Sequence, residues 1–313
     1  MSAPPDGLLT YGDEQKERVG FFTDTSICIG CKACEVACKE WNLIPEDGRA
    51  FTGMSYDNTV QLDANSWRHV AFIEQDKPLH SRLETPADEP PATGQEGRQS
   101  PEAPDGDGDG TTGLRWLMES DVCKHCTHAA CLDVCPTGSL FRTEFGTVVV
   151  QQDICNGCGY CVPACPFGVL DKRHLAPAPD LPAFAKEDGR VWKCTLCYDR
   201  LKGGHEPACA KACPTKSIQF GPLDELRERA DARLEKLQAE NWNGAQLYGR
   251  DSDDGVGGFG AFFLLLDKPE VYGLPPDPVA TTRDLPEMWR SMLGAAAAMF
   301  VGIAAAALIG GRK

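Results

Sequence analysis

The sequence predicts an α+β protein of two small lobes organised by cysteine loops, with short hairpins and helices, followed by one helix long enough to cross a membrane. Three observations predict this. All sixteen cysteines of the 313-residue chain fall into four short groups of four, with none left over. Short β-branched or aromatic runs stand between and after those groups, as expected of small strands rather than a large sheet. The last stretch, Met292 to Gly310, holds 19 residues without a charge.

The first group is Cys28, Cys31, Cys34 and Cys38 in CIGCKACEVAC, and the third is Cys155, Cys158, Cys161 and Cys165 in CNGCGYCVPACP. Both read C-x2-C-x2-C-x3-C, the run of bacterial ferredoxins. The second group is Cys123, Cys126, Cys131 and Cys135, with a middle spacer of four residues; the fourth is Cys194, Cys197, Cys209 and Cys213, with a spacer of eleven. Each group keeps an opening C-x2-C and a closing C-x3-C while the middle stretches. Cysteines at every third position of a tight loop wrap three thiolates and several backbone N–H groups around one cubic iron–sulfur cluster, which leaves one iron for a ligand from elsewhere. The fourth cysteine, expected at the start of a helix, points away and closes the other cluster of a pair. Pro136, Pro166 and Pro214 follow it in three groups, in keeping with proline's place in a helix's first turn; Lys39 stands there in the first.

Two other cysteine chemistries compete with this reading. Disulfide scaffolds are short secreted chains with cysteine above roughly 8%, whereas here 16 of 313 residues are concentrated in clusters. Zinc sites use two separated C-x2-C pairs rather than three thiolates within seven residues. The expectation is therefore four [4Fe–4S] clusters built as two bacterial-ferredoxin-like lobes of two clusters each. His125 and His128, interleaved in the second group, are read as partly exposed loop histidines, because four cysteines are already available there.

The remaining elements follow in chain order. The N-terminal MSAPPDGLLTYGDEQKERVG is acidic and lacks an apolar core, so no secretory signal is expected. From Glu84 to Gly113 the chain carries eight acidic residues, one arginine, five prolines and no large apolar side chain. Such a segment cannot offset the entropy of ordering and reads as a flexible acidic insertion over 79–113. Its DGDGDG run does not make an EF-hand-like calcium loop, which needs a closing Glu; Thr111, Thr112 and Gly113 follow instead. Thr147 to Val150 reads as a hairpin strand between groups two and three, and Ser217 to Phe220 as its counterpart after group four. Leu226, Ala230, Leu234 and Leu237 share one face of a helix over Leu223 to Gln238. Phe259 to Asp267, FGAFFLLLD, reads as a buried strand. The formal charge of −15 makes nucleic acid an improbable partner.

The uncharged segment is close to the roughly 20 residues needed to cross a bilayer. Trp289 and Arg290 flank one end and Arg312 and Lys313 the other, as interfacial anchors do. A buried helix of a soluble core is the alternative, since alanine is only weakly apolar. Gly294, Ala298, Gly302, Ala306 and Gly310 recur every fourth residue, a small-residue strip along which another membrane helix can approach. Orientation is not legible from charge, because Arg283 and Arg290 before the segment balance Arg312 and Lys313 after it. The division read from these features is 79–113 for the insertion, 223–288 as an extension toward the membrane, and 289–313 as the anchor.

With these motifs in hand, the chain resembles the iron–sulfur β subunits of membrane-bound respiratory formate dehydrogenases. The stretches that carry the resemblance are CIGCKACEVACKEWN (Cys28 to Asn42), GCGYCVPACPF (Gly157 to Phe167), VWKCTLCYDR (Val191 to Arg200), EPACAKACPT (Glu206 to Thr215) and YGLPPDP (Tyr272 to Pro278). Dimethyl sulfoxide reductase, polysulfide reductase and hydrogenase complexes use related subunits. The nitrate reductase type is set apart by a Trp where this sequence has Cys158. The resemblance implies a place between a molybdenum or tungsten bis-pterin catalytic subunit that oxidises formate and a membrane cytochrome b that reduces quinone. It also implies the pairing of groups, with 20–78 and 190–222 as the lobe of groups one and four and 114–175 as the lobe of groups two and three. Cys28, Cys31 and Cys34 would take Cys213 as fourth ligand, and Cys194, Cys197 and Cys209 would take Cys38. Cys123, Cys126 and Cys131 would take Cys165, and Cys155, Cys158 and Cys161 would take Cys135. It further implies a single-pass anchor in the cell membrane, with the cluster lobes on the extracytoplasmic side. The acidic insertion departs from the family pattern.

No residue reads as a nucleophile or an acid–base pair, so the chain is expected to relay electrons rather than turn over a substrate by itself. A membrane-anchored structural subunit, whose metal sites merely hold the fold, is the reading from a different class. Lys124 and Lys193 sit beside cysteines and read either as charges that raise cluster potentials or as solvated surface lysines.

Overall fold

The computed structural model describes residues 17–46, 53, 56–75, 115–173 and 189–310. The acidic stretch over 79–113, with its DGDGDG run, lies outside them, as do Arg312 and Lys313. In chain order the elements are β1 (Val19–Asp24), α1 (Ala33–Asn42), β2 (Arg68–Gln75), β3 (Arg115–Val122), α2 (Ala130–Asp133), β4 (Leu140–Arg142), β5 (Val148–Val150), α3 (Cys161–Ala164) and β6 (Asp171–Lys172). There follow β7 (Val191–Trp192), α4 (Tyr198–Lys202), α5 (Ala208–Ala212), β8 (Ile218–Pro222), α6 (Leu223–Ala239), β9 (Gln246–Tyr248), β10 (Ala261–Leu265) and α7 (Leu285–Gly310). The mixed class expected from the sequence is what is found.

One four-stranded sheet, in the order β8-β1-β10-β9, anchors the rest. Strand β10 lies in its interior, parallel to β1 and antiparallel to β9. All five residues of β10 are fully buried, which explains its unbroken apolar run: a strand covered on both faces has no polar side to show. Phe22 of β1 stacks on Phe262 of β10 with ring centroids 5.3 Å apart. Helix α6 closes one face of the sheet through Leu226, Ala230 and Leu237 of the stripe its spacing predicts, with Leu234 of that stripe half-buried and Leu223 buried at the start of the helix. The strand expected from Ser217 to Phe220 is β8, but it pairs with the distant β1 rather than with a neighbour in sequence.

The other strands are local ribbons that carry cysteine loops. Strands β4 and β5 form the hairpin expected between groups two and three. Gly146, at φ 75°, turns that hairpin, and its N–H donates to the Thr143 carbonyl. Strands β6 and β7 pair just ahead of group four, and β2 and β3 form a longer antiparallel ribbon. Helix α7 stands away from this body. The window Glu287–Ala307 has a mean hydropathy of 1.5 and none of it is buried, so it is not the core helix of a soluble domain. Leu293 and Phe300 are 68% and 75% exposed. A helix this apolar and this uncovered is long enough to cross a membrane.

The tightest point of the sheet is Gly20, where an added Cβ would fall onto the Gly260 carbonyl that receives the Phe21 N–H at 2.8 Å. Gly20→Ala is expected to cost about 1–3 kcal/mol by overpacking. The check is the temperature at which the purified protein loses far-UV circular dichroism, which should fall; an unchanged temperature would mean that β1 and the chain before β10 are not in such close contact.

Candidate iron–sulfur centres

The cysteine loops are shaped by backbone that ordinary residues avoid. In the first group Gly30 and Lys32 have φ of 63° and 58°, in the third Gly157 and Gly159 have 72° and 80°, and in the fourth Leu196 and Cys197 have 56° and 49°. These left-handed residues curl each loop so that successive side chains face one centre. The fourth cysteines differ from expectation. Cys165 and Cys213 cap the C-terminal ends of α3 and α5, and Cys135 follows α2, so these cysteines close short helices instead of opening them. Pro136, Pro166 and Pro214 then act as helix stops, each starting a turn in which the cysteine carbonyl accepts from the residue three further on at 3.3 Å. Where Lys39 replaces proline, α1 runs on through Cys38 to Asn42.

The thiols gather across groups. One cavity is lined by Cys28, Cys31, Cys34 and Cys213, together with Ser120 and Ser217. A second, about 370 Å³ when its open mouth is included, is lined by Cys123, Cys126, Cys131 and Cys165. Helix α1 packs on α5 and α2 on α3. Cys38 faces Cys194, Cys209 and Cys197 closely enough to feel their charge, and Cys161 likewise faces Cys135, Cys155 and Cys158. No disulfide joins any of the sixteen. Among the described residues no three Cys, His, Asp or Glu side chains converge as a single metal ion requires. Thiols spread around a space, rather than drawn to a point, fit a bulky multi-iron group better than zinc.

Polar side chains reach the sulfurs. Asn42 Nδ2 lies 3.7 Å from Cys38 Sγ and 3.9 Å from Cys197 Sγ. Trp41 Nε1 donates to Asp199 at 2.8 Å, so the EWN that follows group one ties it to group four. Ser139 Oγ is 3.2 Å from Cys135 Sγ, and Ser120 Oγ is 3.2 Å from Cys34 Sγ. Burial raises the Cys135 thiol, but the Ser139 and Thr137 hydroxyls and the backbone N–H groups of Leu140 and Thr137 outweigh it, and the pKa falls to about 7. Spacing from Cys135 signals Ser139, and EWN signals Asn42. Nothing local signals Ser120.

The expectation for His125 is corrected, and one of the two readings of Lys124 and Lys193 is excluded. His125 is 2% exposed, not a partly exposed loop residue: its Nδ1 accepts the Val148 N–H at 3.0 Å and pins β5 beneath the loop. Burial, with Lys193 and Arg142 near, holds its pKa well below the usual range. His128 remains half-exposed. Lys124 and Lys193 are not solvated surface lysines, being 0% and 2% exposed. Lys124 pairs with Asp121. Lys193 Nζ donates to the carbonyls of Val148 and Cys194 and stands 3.5 Å from Cys123 Sγ, between groups two and four.

Without metal, burial is the main force on the thiols. It pushes Cys34 and Cys197 from an ordinary 9.0 to about 11, and Cys161 and Cys194 to about 12, with neighbouring cysteines adding to the rise. A raised folded pKa means that these thiols keep protons the unfolded chain begins to release near pH 8.5. Their contribution to stability is therefore full below that pH and lost as pH rises through the folded values. Metal-stripped protein is expected to unfold on alkaline titration between about pH 8.5 and 12, followed by circular dichroism. Metal-loaded protein, whose ligands are already deprotonated, should show no such loss in the lower half of that range.

A family model for a 4Fe-4S dicluster domain matches residues 114–223. The formate dehydrogenase iron-sulfur subunit of Haemophilus influenzae is 37% identical over 294 residues, covering 92% of this chain and 78% of that protein. The iron-sulfur subunit of the nitrate-inducible formate dehydrogenase of Escherichia coli is also 37% identical over 294 residues, covering 93% and 81%. A subunit of the anaerobic dimethyl sulfoxide reductase of Escherichia coli is more distant, 31% identical over 211 residues, covering 67% and 76%. The likeness to the first two extends well beyond the dicluster segment to almost the whole chain, and on that ground the chain belongs to the family of formate dehydrogenase iron–sulfur subunits.

Proposed function

We propose that the chain relays electrons through four [4Fe–4S] clusters from a molybdenum or tungsten bis-pterin subunit that oxidises formate to a membrane cytochrome b that reduces quinone. The observation that carries this reading is the mixing of groups around each cavity, three thiols from one loop and one from another. On that basis Cys28, Cys31, Cys34 and Cys213 hold one cluster, and Cys38, Cys194, Cys197 and Cys209 a second, in one ferredoxin-like lobe. Cys123, Cys126, Cys131 and Cys165 hold a third, and Cys135, Cys155, Cys158 and Cys161 a fourth, in the other. The clusters supply one-electron redox chemistry when bound. The chain's own residues fix their spacing, keep water from the inner thiols and set the local charge.

Contacts between lobes support an order. Cys123 adds to the pKa rise of Cys194, and Lys193 lies between them, which makes these two sites the junction of the lobes. Cys31 and Cys158, the two exposed cysteines, mark the outer ends. Exposed apolar side chains flank both: Ile29 and Val36 at one end, Ile154 and Tyr160 at the other. Each end is thus suited to be covered by a neighbouring subunit. Helix α7 serves as a single-pass anchor in the cell membrane. Open space around Gly294 and Gly302 leaves the small-residue strip free for a cytochrome helix. By the family resemblance, the cluster lobes lie on the extracytoplasmic side. The corresponding role in a dimethyl sulfoxide reductase complex fits more weakly, in proportion to the shorter and more distant likeness.

Affinity purification from native membranes is expected to bring down a pterin subunit and a cytochrome b, with formate-dependent quinone reduction. A different catalytic subunit would keep the relay but move it to another complex. Within the purified complex, Cys38→Ser is expected to abolish the electron paramagnetic resonance signal of the cluster held by Cys194, Cys197 and Cys209, and to spare that held by Cys28, Cys31 and Cys34. The reverse pattern would overturn the pairing.

A further inference from the structure

Arg68 opens β2 beneath the first cysteine loop and is 2% exposed. Its Nη1 donates to the Ser120 carbonyl at 3.1 Å and to the Ser120 hydroxyl at 3.0 Å. That hydroxyl is 3.2 Å from Cys34 Sγ. A guanidinium has only donors, so Ser120 Oγ is the acceptor toward Arg68 and its own proton is free to point at the sulfur. The result is a chain from cation to hydroxyl to thiolate.

The rest of the guanidinium has no hydrogen-bond partner among the described residues. Nε and Nη2 are buried without an acceptor, and the Phe21 ring, 4.9 Å away, covers one side. Glu119, which feels the Arg68 charge, does not neutralise it: burial holds that carboxyl well above its usual range, and both its oxygens are themselves unpartnered. A buried cation with no anion is strongly destabilising, so the arrangement is incomplete as protein alone. The side chains that face Arg68 electrostatically are Cys209, Cys34, Cys194 and Cys38. Burial lowers its pKa, and these four more than reverse that. They belong to both sites of the first lobe. Arginine stays charged at any working pH, so the site carries a permanent cation between two groups that each become more negative on reduction.

We propose that Arg68, with Ser120 as its link to Cys34, sets the potential of both clusters of the first lobe by stabilising their reduced forms. The proposal rests on the ligand assignment of the previous section. It concerns positioning and charge, and neither residue ligates iron.

The test is a potentiometric titration of the purified complex, read by electron paramagnetic resonance, for wild type, Arg68→Gln, Arg68→Lys and Ser120→Ala. In Arg68→Gln both first-lobe clusters should be at least tenfold less reduced at a fixed ambient potential, a shift of about 59 mV for a one-electron couple. Arg68→Lys should stay within about threefold of wild type, or about 30 mV. Ser120→Ala should lower only the cluster held by Cys34. The cluster held by Cys155, Cys158, Cys161 and Cys135 should not move in any variant. Unchanged potentials in Arg68→Gln, or an equal drop in Arg68→Lys, would overturn the proposal, the latter by showing that shape rather than charge matters. If Arg68→Gln does not assemble, Ser120→Ala decides, and an unchanged Cys34 cluster overturns it. Absence of these signals from wild type would instead sink the ligand assignment.

Discussion

The structure depends on one constraint: cysteines from different groups line the same cavity. Cys213 stands beside the first loop although groups two and three lie between them in sequence. A site of this kind does not exist in an unfolded chain, so metal binding and folding are coupled. The sheet β8-β1-β10-β9 enforces the same closure in apolar terms. Strand β1 leads directly into group one and β8 leads directly out of group four, and pairing them brings the two groups together.

A second consequence is electrostatic. Thiolates drawn into a low-dielectric interior repel one another and are costly to ionise. The chain answers with buried cations in places where most proteins would have none: Arg68, Lys124, Lys193 and Arg142 are all 3% exposed or less. Arg142 donates to the carbonyls of Cys126 and Thr127 at 2.8 Å, holding the second loop while placing its charge near the thiols. The same contacts that shape the loops therefore also place positive charge near the thiols, so architecture and local electrostatics come from one set of residues.

How much was legible in sequence follows from how local each signal is. Cysteine spacing is dictated by the loop around its metal, so the ligand candidates could be read directly. The strands β5 and β10, the apolar stripe of α6 and the span of α7 carry their own periodicity. What escaped was non-local. The burial of Lys193 depends on β5 packing over it, and that of His125 on the Val148 N–H, neither visible from the neighbours in sequence. Placing the fourth cysteines at helix starts failed because proline's role at a helix entrance was applied where its role as a stop operates. Arg68 and Ser120 lie in a ribbon with no motif. Their importance appears only once β2 and β3 are paired and brought under the first loop.

The central claim is that four clusters are held by interleaved thiols. It is tested most directly by a high-resolution structure of the anaerobically purified complex, read for metal density and sulfur ligation. The account predicts four separate cubane densities in this chain, each bonded to three cysteines of one group and one of its partner, with Cys213, Cys38, Cys165 and Cys135 as the crossing ligands. Four cysteines of a single group closing on one density, or single-ion density at these sites, would contradict it.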